Sequence, residues 1–463
     1  MLGKTFALRA HGVVLGLAGL LLSGASAQNI SKMTMLSNYL RPGSTKGTAG
    51  SWGWTADNGK EYALITSQAP GGLSVVDISD PKTPKLNAFV AAGHNSLWFE
   101  TTAYKNFAYV VSQEGNIGLM IVDMAPVQTG QPAKLITNFT TKFRNAHTIY
   151  VDTTVTPARL YATYNGVTGV MILSLENPAA PVELGRIVGE THDMHARGNF
   201  LYMNTQYRGT VEIWNVANPA APTKVSVINL SAKSIELGEM SAGQQTIAHN
   251  CWLSDNGKTL YTSEEVLKTS TKAWDISTIA TPKYLTKYLA SPNIIDHNVY
   301  VKGNKLYAAH YTAGLRILDI SNPAVMKEVA FHRPSSSTAL YGGTWGAYPF
   351  FKSGNITWSD MDAGLYVVRD DTEPVHIAGG VARNDQFRIT GMDGGSLRFH
   401  LPWAGAYALS IYTPAGKEVV NHKGIAGNGQ ENLMLGEALS GGNYLVKASQ
   451  GNQILKGSLA VGN

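Results

Sequence analysis

The chain contains a single cysteine, Cys251, among its 463 residues. One thiol cannot form an internal disulfide and cannot supply a cysteine-rich metal cluster. Charged residues make up only 15% of the sequence, and lysine plus arginine exceed aspartate plus glutamate by only 37 − 32 = 5. This weak positive balance argues against nucleic acid or an acidic membrane surface as a partner.

The sequence also lacks an apolar run of the roughly 20 residues that a membrane-spanning helix needs. The apolar run at 13–22 follows Lys4 and Arg9 and precedes the small residues 25–27. This order of basic, apolar and small residues is typical of a secretory signal peptide. We therefore predict a signal peptide over 1–27 and a mature protein without a transmembrane segment, secreted or exposed on the outer cell surface.

Amphipathic helical patterns are sparse, and short β-branched or aromatic runs between Gly and Asn turns dominate. The stretch 296–323 contains three such runs, HNVYV, KLYAAHY and GLRILDIS, and ends at Asn322-Pro323. A fourth run follows at 326–332. Four short runs in about 48 residues predict one antiparallel sheet, which must stack on copies of itself to bury both faces.

The same unit recurs seven times, and the residue at the position of His297 identifies each copy. The spacing between these positions is 45 to 57 residues, and they are Trp52, Glu100, His147, His192, His249, His297 and Trp345. Each copy has an apolar third run, and the first six of these runs end near a proline. Asp77, Asp275 and Asp319, within DIS segments, are predicted to cap the turn before that proline.

A period of 40 to 50 residues with four strands per copy predicts an all-β fold, a seven-bladed β-propeller followed by a small C-terminal β-sandwich. The propeller is predicted over 28–372, with 28–40 as the strand that completes the last blade. A linker is predicted over 373–386 and the β-sandwich over 387–463.

Several runs resemble, in the same order, the LVIVD-repeat propellers called choice-of-anchor B proteins. They include WGWTADNGKEYALITSQAPGGLSVVDISDP, THDMH, AHNCWLSDNGKTLYTSEE and IDHNVYVKGNKLYAAHYTAGLRILDISNP. The resemblance implies an extracellular propeller with a surface-anchoring tail and implies no particular activity. SIYTPAGKEVV and LSGGNYLVKASQG are similar to the sorting domains of type IX secretion, which implies contact with the cell envelope through this tail.

We expect the first-strand position to line the central channel. Imidazoles from four consecutive blades would then converge there, and imidazole nitrogen is a common ligand of transition metals. His147, His192, His249 and His297 are therefore candidate ligands of one transition metal ion, and His195 could replace or support His192. The other candidate channel residues are Glu100, Asp193, Asn250, Asp296 and Asn298, of which the last four could orient an imidazole.

A second set of polar residues follows the second strands. Glu264, Glu265, His310 and Asp360 occupy comparable places there and could reach the same mouth of the channel or the opposite one. Carboxylates beside histidines suit general acid or base chemistry or support of a metal ligand.

A structural interpretation competes with these functional ones, because a repeated histidine can simply hydrogen-bond the neighbouring blade. Two functions therefore stay open. The first is a binding scaffold for an extracellular protein or polysaccharide. The second is a metal-dependent enzyme, of lyase or oxidase type, that uses the channel histidines. No nucleophile with an adjacent base and no phosphate-binding loop stands in a recognisable motif, and this favours the scaffold.

Overall fold

The structure is a computed structural model that describes residues 29–165, 167–333, 339–372, 388–393, 396–413, 416–435, 439, 442–450 and 453–461. The predicted signal peptide (1–27) and linker (373–386) lie outside the described residues. Within these ranges the regular secondary structure is almost entirely β-strand, with one α-helix and one 3₁₀ helix.

Two short strands come first along the chain, β1 (Asn29–Ser31) and β2 (Met33–Tyr39). Seven antiparallel sheets follow, numbered here 1 to 7 in chain order. Sheets 1 and 2 consist of β3 (Thr48–Thr55), β4 (Glu61–Gln68), β5 (Gly71–Asp77), β6 (Lys85–Ala91), β7 (Phe99–Tyr104), β8 (Phe107–Ser112), β9 (Leu119–Asp123) and β10 (Lys134–Phe139). The 3₁₀ helix Ala125–Thr129 joins β9 to β10.

Sheets 3 and 4 repeat the four-stranded pattern. Their strands are β11 (Ile149–Asp152), β12 (Arg159–Thr163), β13 (Gly169–Ser174), β14 (Val182–Val188), β15 (Met194–Arg197), β16 (Phe200–Thr205), β17 (Thr210–Asn215) and β18 (Thr223–Asn229). Helix α1 (Leu230–Glu236) follows β18, and the side chain of Asn229 caps its first turn. This helix and the loop after it account for the one long spacing, 57 residues, between His192 and His249.

Sheets 5 to 7 complete the series. Their strands are β19 (Ala248–Leu253), β20 (Thr259–Glu264), β21 (Thr271–Asp275), β22 (Lys283–Tyr288), β23 (Asn298–Lys302), β24 (Lys305–Ala309), β25 (Leu315–Asp319), β26 (Lys327–Arg333), β27 (Thr344–Tyr348), β28 (Asn355–Asp360) and β29 (Gly364–Asp370). The four strands expected over 296–332 are confirmed to within a few residues as β23 to β26, the strands of sheet 6.

The N-terminal strands belong to the last two sheets. β2 pairs antiparallel with β29 and is the fourth strand of sheet 7, and β1 pairs with β26 as a fifth strand of sheet 6. Met33 on β2 is buried against Trp358 and Tyr366 of sheet 7 in one core cluster. The first segment of the described chain is therefore joined by hydrogen bonds to sheets 6 and 7.

The sheets bury their faces against one another. β4 is buried along its whole length, whereas the outer strand β10 is mostly exposed. Apolar side chains of adjacent sheets share clusters, as Leu64 and Val75 of sheet 1 do with Val110 and Met120 of sheet 2. The first strand of each sheet contacts the first strand of the next, and β27 contacts β3, so these seven described strands form a closed ring.

Turn caps explain the repeated aspartate at the end of the third strand. The carboxylates of Asp77, Asp275 and Asp319 each accept a hydrogen bond of 2.8 Å from the backbone N–H two residues later. This confirms the predicted capping role, and these three residues lie outside the channel.

The C-terminal region forms a separate sheet. Its strands are β30 (Arg388–Asp393), β31 (Ser396–Tyr412), β32 (Glu418–Met434), β33 (Gly442–Gln450) and β34 (Gln453–Val461). The described residues make one five-stranded antiparallel sheet with a core of its own around Phe399, Leu409 and Val446. The expected division of this region into a two-sheet sandwich stays a prediction. Among the described residues, no helix has the length and apolarity needed to cross a membrane.

Candidate functional site

Four histidines from consecutive sheets lie side by side where the first strands begin. We call His147, His192, His249 and His297 the histidine arc. Adjacent imidazole rings are 4.2 Å apart between centroids at each of the three steps, and all four side chains are buried. The first strands form a closed ring, so equivalent positions on neighbouring strands become neighbours around one axis.

Two tryptophans close the circle that the arc begins. Trp345 lies 4.7 Å from His297, and Trp98 lies 5.8 Å from Trp345 and 6.1 Å from His147, measured between ring centroids. The indole N–H of Trp345 donates a 2.6 Å hydrogen bond to Glu100 Oε1. Trp98 stands two residues before Glu100, outside the aligned position from which the channel residues were predicted.

Trp52 does not take the place in this circle that its alignment predicted. Its ring instead contacts Tyr348 and Phe350, at 5.2 and 6.3 Å between centroids. The pairing of β3 with β4 shifts register between Thr48 and Ser51, and such a shift changes which side chains face the axis. Gly50 lies within that shift, where a Cβ atom would meet the Glu100 backbone at 2.7 Å.

Hydrogen bonds between sheets fix the orientation of two arc histidines. His249 Nδ1 lies 3.2 Å from the carbonyl oxygen of His297, and His297 Nδ1 lies 2.7 Å from that of Trp345. A carbonyl oxygen only accepts, so both Nδ1 atoms carry the proton. The structural role considered for the histidines is therefore present in His249 and His297, and in these two rings backbone carbonyls perform the orienting that was predicted for Asp193, Asn250, Asp296 and Asn298.

The remaining nitrogens of these two rings carry lone pairs. Burial lowers the pKa of His297 to about 3 and that of His249 well below its ordinary value, so both rings are neutral at pH 7. A neutral imidazole protonated at Nδ1 exposes an acceptor at Nε2. His297 Nε2 has no hydrogen-bond partner among the described residues.

The other two histidines of the arc face each other. His147 Nε2 and His192 Nε2 are 2.8 Å apart, and His147 Nδ1 is 2.8 Å from Gln113 Oε1. Burial lowers the pKa of His147 to about 4 and that of His192 well below its ordinary value. His192 Nδ1 has no hydrogen-bond partner among the described residues.

Glu265 is the carboxylate that reaches the arc. It follows the second strand of sheet 5, and its Oε2 lies 3.8 Å from His249 Nε2. Its other oxygen accepts a hydrogen bond from the Tyr311 hydroxyl. Burial raises the pKa of Glu265 to about 7, while the Tyr311 bond opposes that rise. Ligand atoms of His192, His249 and Glu265 all lie within 4.8 Å of one another.

The other members of the predicted second set do not reach the arc. Glu264 points into a buried cluster, where it pairs with Lys272 and accepts a 2.8 Å bond from Ser234. His310 Nδ1 lies 3.1 Å from Asp296 Oδ1 within the protein core. The carboxylate of Asp360 accepts two backbone N–H groups of the turn after β28, at 2.9 and 2.8 Å.

Two hollows lie near the histidine arc. A cavity of about 250 Å³, which we call the upper cavity, is lined by Trp98, Gln113, His147, Val167, His192, Gln206, Tyr207, His249, Glu265, His297 and Trp345. A recess of about 360 Å³, the side recess, is lined by Leu97, Trp98, Glu265, Tyr311, Tyr341, Trp345 and Met361. The two hollows share Trp98, Glu265 and Trp345.

A narrower pocket of about 50 Å³, the lower pocket, has a lining that includes Glu100, Asp193, Asn250, Asn298 and the arc. Asn250 donates a 2.6 Å hydrogen bond to Asp193 Oδ2. Burial raises the pKa of Asp193 to about 6 and that of Glu100 to about 8.

His195 differs from the expectation that it could replace or support His192. Its ring lies 4.7 Å from Tyr150 and 4.6 Å from Trp252, between centroids, in an aromatic cluster near the lower pocket. Burial among these rings lowers the pKa of His195 to about 3. The MHAR strand that begins at Met194 carries it away from the arc.

Comparison with known proteins gives one family match. Residues 61–97, 102–127 and 297–331 match the LVIVD repeat, and these segments fall in sheets 1, 2 and 6. No curated protein shows significant similarity to the sequence.

Similar solved structures include PorZ, described as an essential surface component of the type IX secretion system of Porphyromonas gingivalis. PorZ shares 11% identity over 89% of this chain, with a TM-score of 0.47, and the match spans 58% of PorZ. The periplasmic gluconolactonase PpgL of Pseudomonas aeruginosa shares 11% over 62% of this chain and 86% of its own, with a TM-score of 0.48. A protein from Lactobacillus plantarum shares 11% over 61% and 85%, with a TM-score of 0.49. The chain thus carries LVIVD repeats on an all-β fold of four-stranded antiparallel sheets, as a β-propeller does.

Proposed function

We propose that this chain is a secreted or surface-displayed binding scaffold, a seven-bladed propeller whose ligand is an extracellular polysaccharide held over the histidine arc. In this proposal sheets 1 to 7 are the blades, 28–372 is the propeller, and β2 fastens the ring. The C-terminal region, 387–463, serves export or attachment to the cell envelope.

The exposed aromatic side chains carry this proposal. Among the described residues, every exposed tryptophan, tyrosine or phenylalanine lines the upper cavity or the side recess: Trp98 is 36% exposed, Tyr207 62% and Tyr341 50%. Burying such a ring stabilises a folded chain, so three exposed rings that line two hollows with shared walls mark a binding surface.

The chemistry of the two hollows suits a sugar. An aromatic face covers the apolar face of a pyranose ring, while amide and carboxylate groups accept or donate to its hydroxyls. Gln113, Gln206 and Glu265 supply these polar groups beside Trp98. A recess of about 360 Å³ falls in the range of about 300–1,000 Å³ typical of small-ligand sites. A protein partner would more often meet a flatter surface with a central apolar patch.

The test is binding of neutral and acidic oligosaccharides to the mature protein, followed by calorimetry and tryptophan fluorescence. We expect at least one sugar to bind the wild type, and Trp98→Ala and Tyr341→Ala each to weaken that binding about tenfold or more, as the loss of a buried aromatic contact of about 1–3 kcal/mol does.

Leu135→Ala is the matched control, because Leu135 is 39% exposed on the outer strand β10, away from both hollows. It should bind as the wild type does. Absence of sugar binding across the panel, or equal binding by Trp98→Ala and the control, would contradict the proposal. The metal-dependent enzyme is the second candidate function, and it first requires that the arc hold an ion.

A further inference from the structure

Two nitrogens of the histidine arc carry lone pairs, and His297 Nε2 has no hydrogen-bond partner among the described residues. His249 Nε2 and His297 Nε2 are acceptors, because each ring donates its proton to a carbonyl through Nδ1. His249 Nε2 nevertheless faces Glu265 Oε2 at 3.8 Å, which is another acceptor when the carboxylate is ionised. Two acceptors that face each other repel unless a cation or a proton lies between them.

From this geometry we propose that the chain binds one divalent first-row transition metal ion through His192, His249 and Glu265. All three residues line the upper cavity. His297 also lines this cavity but stands outside the group of three. This inference does not rest on the proposed sugar binding.

The distances suit such an ion with small movements. Zinc binds imidazole nitrogen at about 2.0–2.1 Å and carboxylate oxygen at about 2.0–2.2 Å, which places two ligand atoms about 3.4 Å apart in a tetrahedral site. The 3.8 Å between His249 Nε2 and Glu265 Oε2 is therefore close to that required separation. Ligand atoms of His192, His249 and Glu265 lie within 4.8 Å of one another, so they must approach by at most about 1.4 Å to reach the tetrahedral separation.

The supporting contacts are those that a metal ligand needs. Carbonyls of the next sheet hold His249 and His297 in the tautomer that presents Nε2. The Tyr311 hydroxyl holds one oxygen of Glu265 and leaves the other facing the arc. Hydrogen bonds between a metal ligand and its neighbouring groups fix the orientation of the ligand and raise its basicity.

The donor set selects the class of ion. Neutral imidazole nitrogens with one carboxylate favour zinc, manganese, iron, cobalt or nickel, whereas calcium and magnesium prefer oxygen ligands only. The upper cavity opens over the site, so a coordination position could remain available to water or to a ligand. His147 Nε2 lies 2.8 Å from His192 Nε2, so His147 would hydrogen-bond to His192 or replace it as a ligand.

The experiment uses the full mature protein, stripped with a chelator and titrated with Zn²⁺ and Co²⁺. We expect one ion per chain by elemental analysis and a visible Co²⁺ absorption band that Zn²⁺ abolishes. Glu265→Gln and His249→Ala should each weaken affinity by more than about 100-fold, because loss of an outer contact alone costs about 10–100-fold.

Glu265→Gln keeps the shape of the side chain and an acceptor for Tyr311, so it tests ligation even where His249→Ala fails to fold. His94→Gln is the matched control, because His94 is a half-buried histidine of the described chain whose ring contacts Ser112 outside the arc. It should bind the ion as the wild type does. Absence of stoichiometric binding by the folded wild type, or equal affinity of Glu265→Gln and the control, would overturn the proposal.

Discussion

Glu100 is retained at a cost to stability, and replacing it with glutamine should remove that cost. The side chain lies in the interior of the channel, where burial raises its pKa to about 8 and the Asp193 carboxylate adds to the rise. The hydrogen bond from Trp345 opposes the shift without cancelling it. Glutamine has the same shape and keeps an oxygen that Trp345 Nε1–H can bond, but it has no charge to bury.

The size of the effect follows from the difference between the folded and unfolded pKa values. An unfolded glutamate ionises near pH 4.5, whereas Glu100 in the native state holds its proton to about pH 8. Between these values the native state binds one more proton than the unfolded state, so stability falls by about 1.36 kcal/mol for each pH unit. At pH 7 this span of two and a half units amounts to about 3 kcal/mol.

Glu100→Gln should therefore match the wild type near pH 4.5, exceed its free energy of unfolding by about 3 kcal/mol at pH 7 and reach a constant difference above about pH 8. Thermal and denaturant unfolding of both proteins between pH 4.5 and 9 measures that difference, and the titration of every other group cancels in it. A shift of this size corresponds to several degrees in Tm.

Glu183→Gln is the matched control of opposite sign, because Arg186 and Lys142 hold the pKa of Glu183 below its usual range. Its stability should fall relative to the wild type as the pH rises from the lowered pKa of Glu183 to the ordinary value of 4.5, and should stay lower by a constant amount at higher pH, so this variant is also measured below pH 4.5. A difference between Glu100→Gln and the wild type that does not vary with pH, or a less stable Glu100→Gln at pH 7, would refute the reasoning. Glu100 would then be ionised in the folded protein.

Two further perturbations test the fold around the site. Lys272→Met should lower the free energy of unfolding by about 3–5 kcal/mol, because it leaves Glu264 buried without its partner. Lys287→Met removes a 36% exposed partner of Glu239 and should cost less than about 1 kcal/mol. Equal losses for the two variants in denaturant unfolding would contradict this difference. Deleting residues 28–40 should lower Tm sharply, because it removes β2 from β29 and the buried Met33 from the core of sheet 7; an unchanged melting curve would rule out a fastening role for this strand.

The repeat made much of the architecture predictable from the sequence. Alternating strands and Asp-capped turns recur at a steady period, and this locates the four strands of sheet 6 and the common position of the four arc histidines. Each of these features depends on local sequence and on its repetition, which can be compared between copies without knowing how the sheets pack.

The rest of the site depends on geometry that the repeat does not encode. Glu264 and Glu265 are adjacent, and successive positions of an extended chain point to opposite sides, so only one of them reaches the arc. Trp52 lies away from the circle of rings because β3 shifts register, whereas Trp98 belongs to the circle although it stands outside the aligned position. The carbonyls that orient His249 and His297 belong to the backbone of the next sheet, which no side-chain motif records.

The arc also separates two roles that the sequence presents as alternatives. A side chain that only joins two sheets needs a donor, and the indole of Trp345 in sheet 7 supplies one to Glu100 in sheet 2. Indole has no acceptor, whereas imidazole adds one at its second nitrogen. In His249 and His297 the bond between sheets uses Nδ1 and leaves the lone pair of Nε2 free of that bond. The bond between sheets therefore uses Nδ1 and metal binding would use Nε2 of the same rings, so the structural bond does not compete with metal binding.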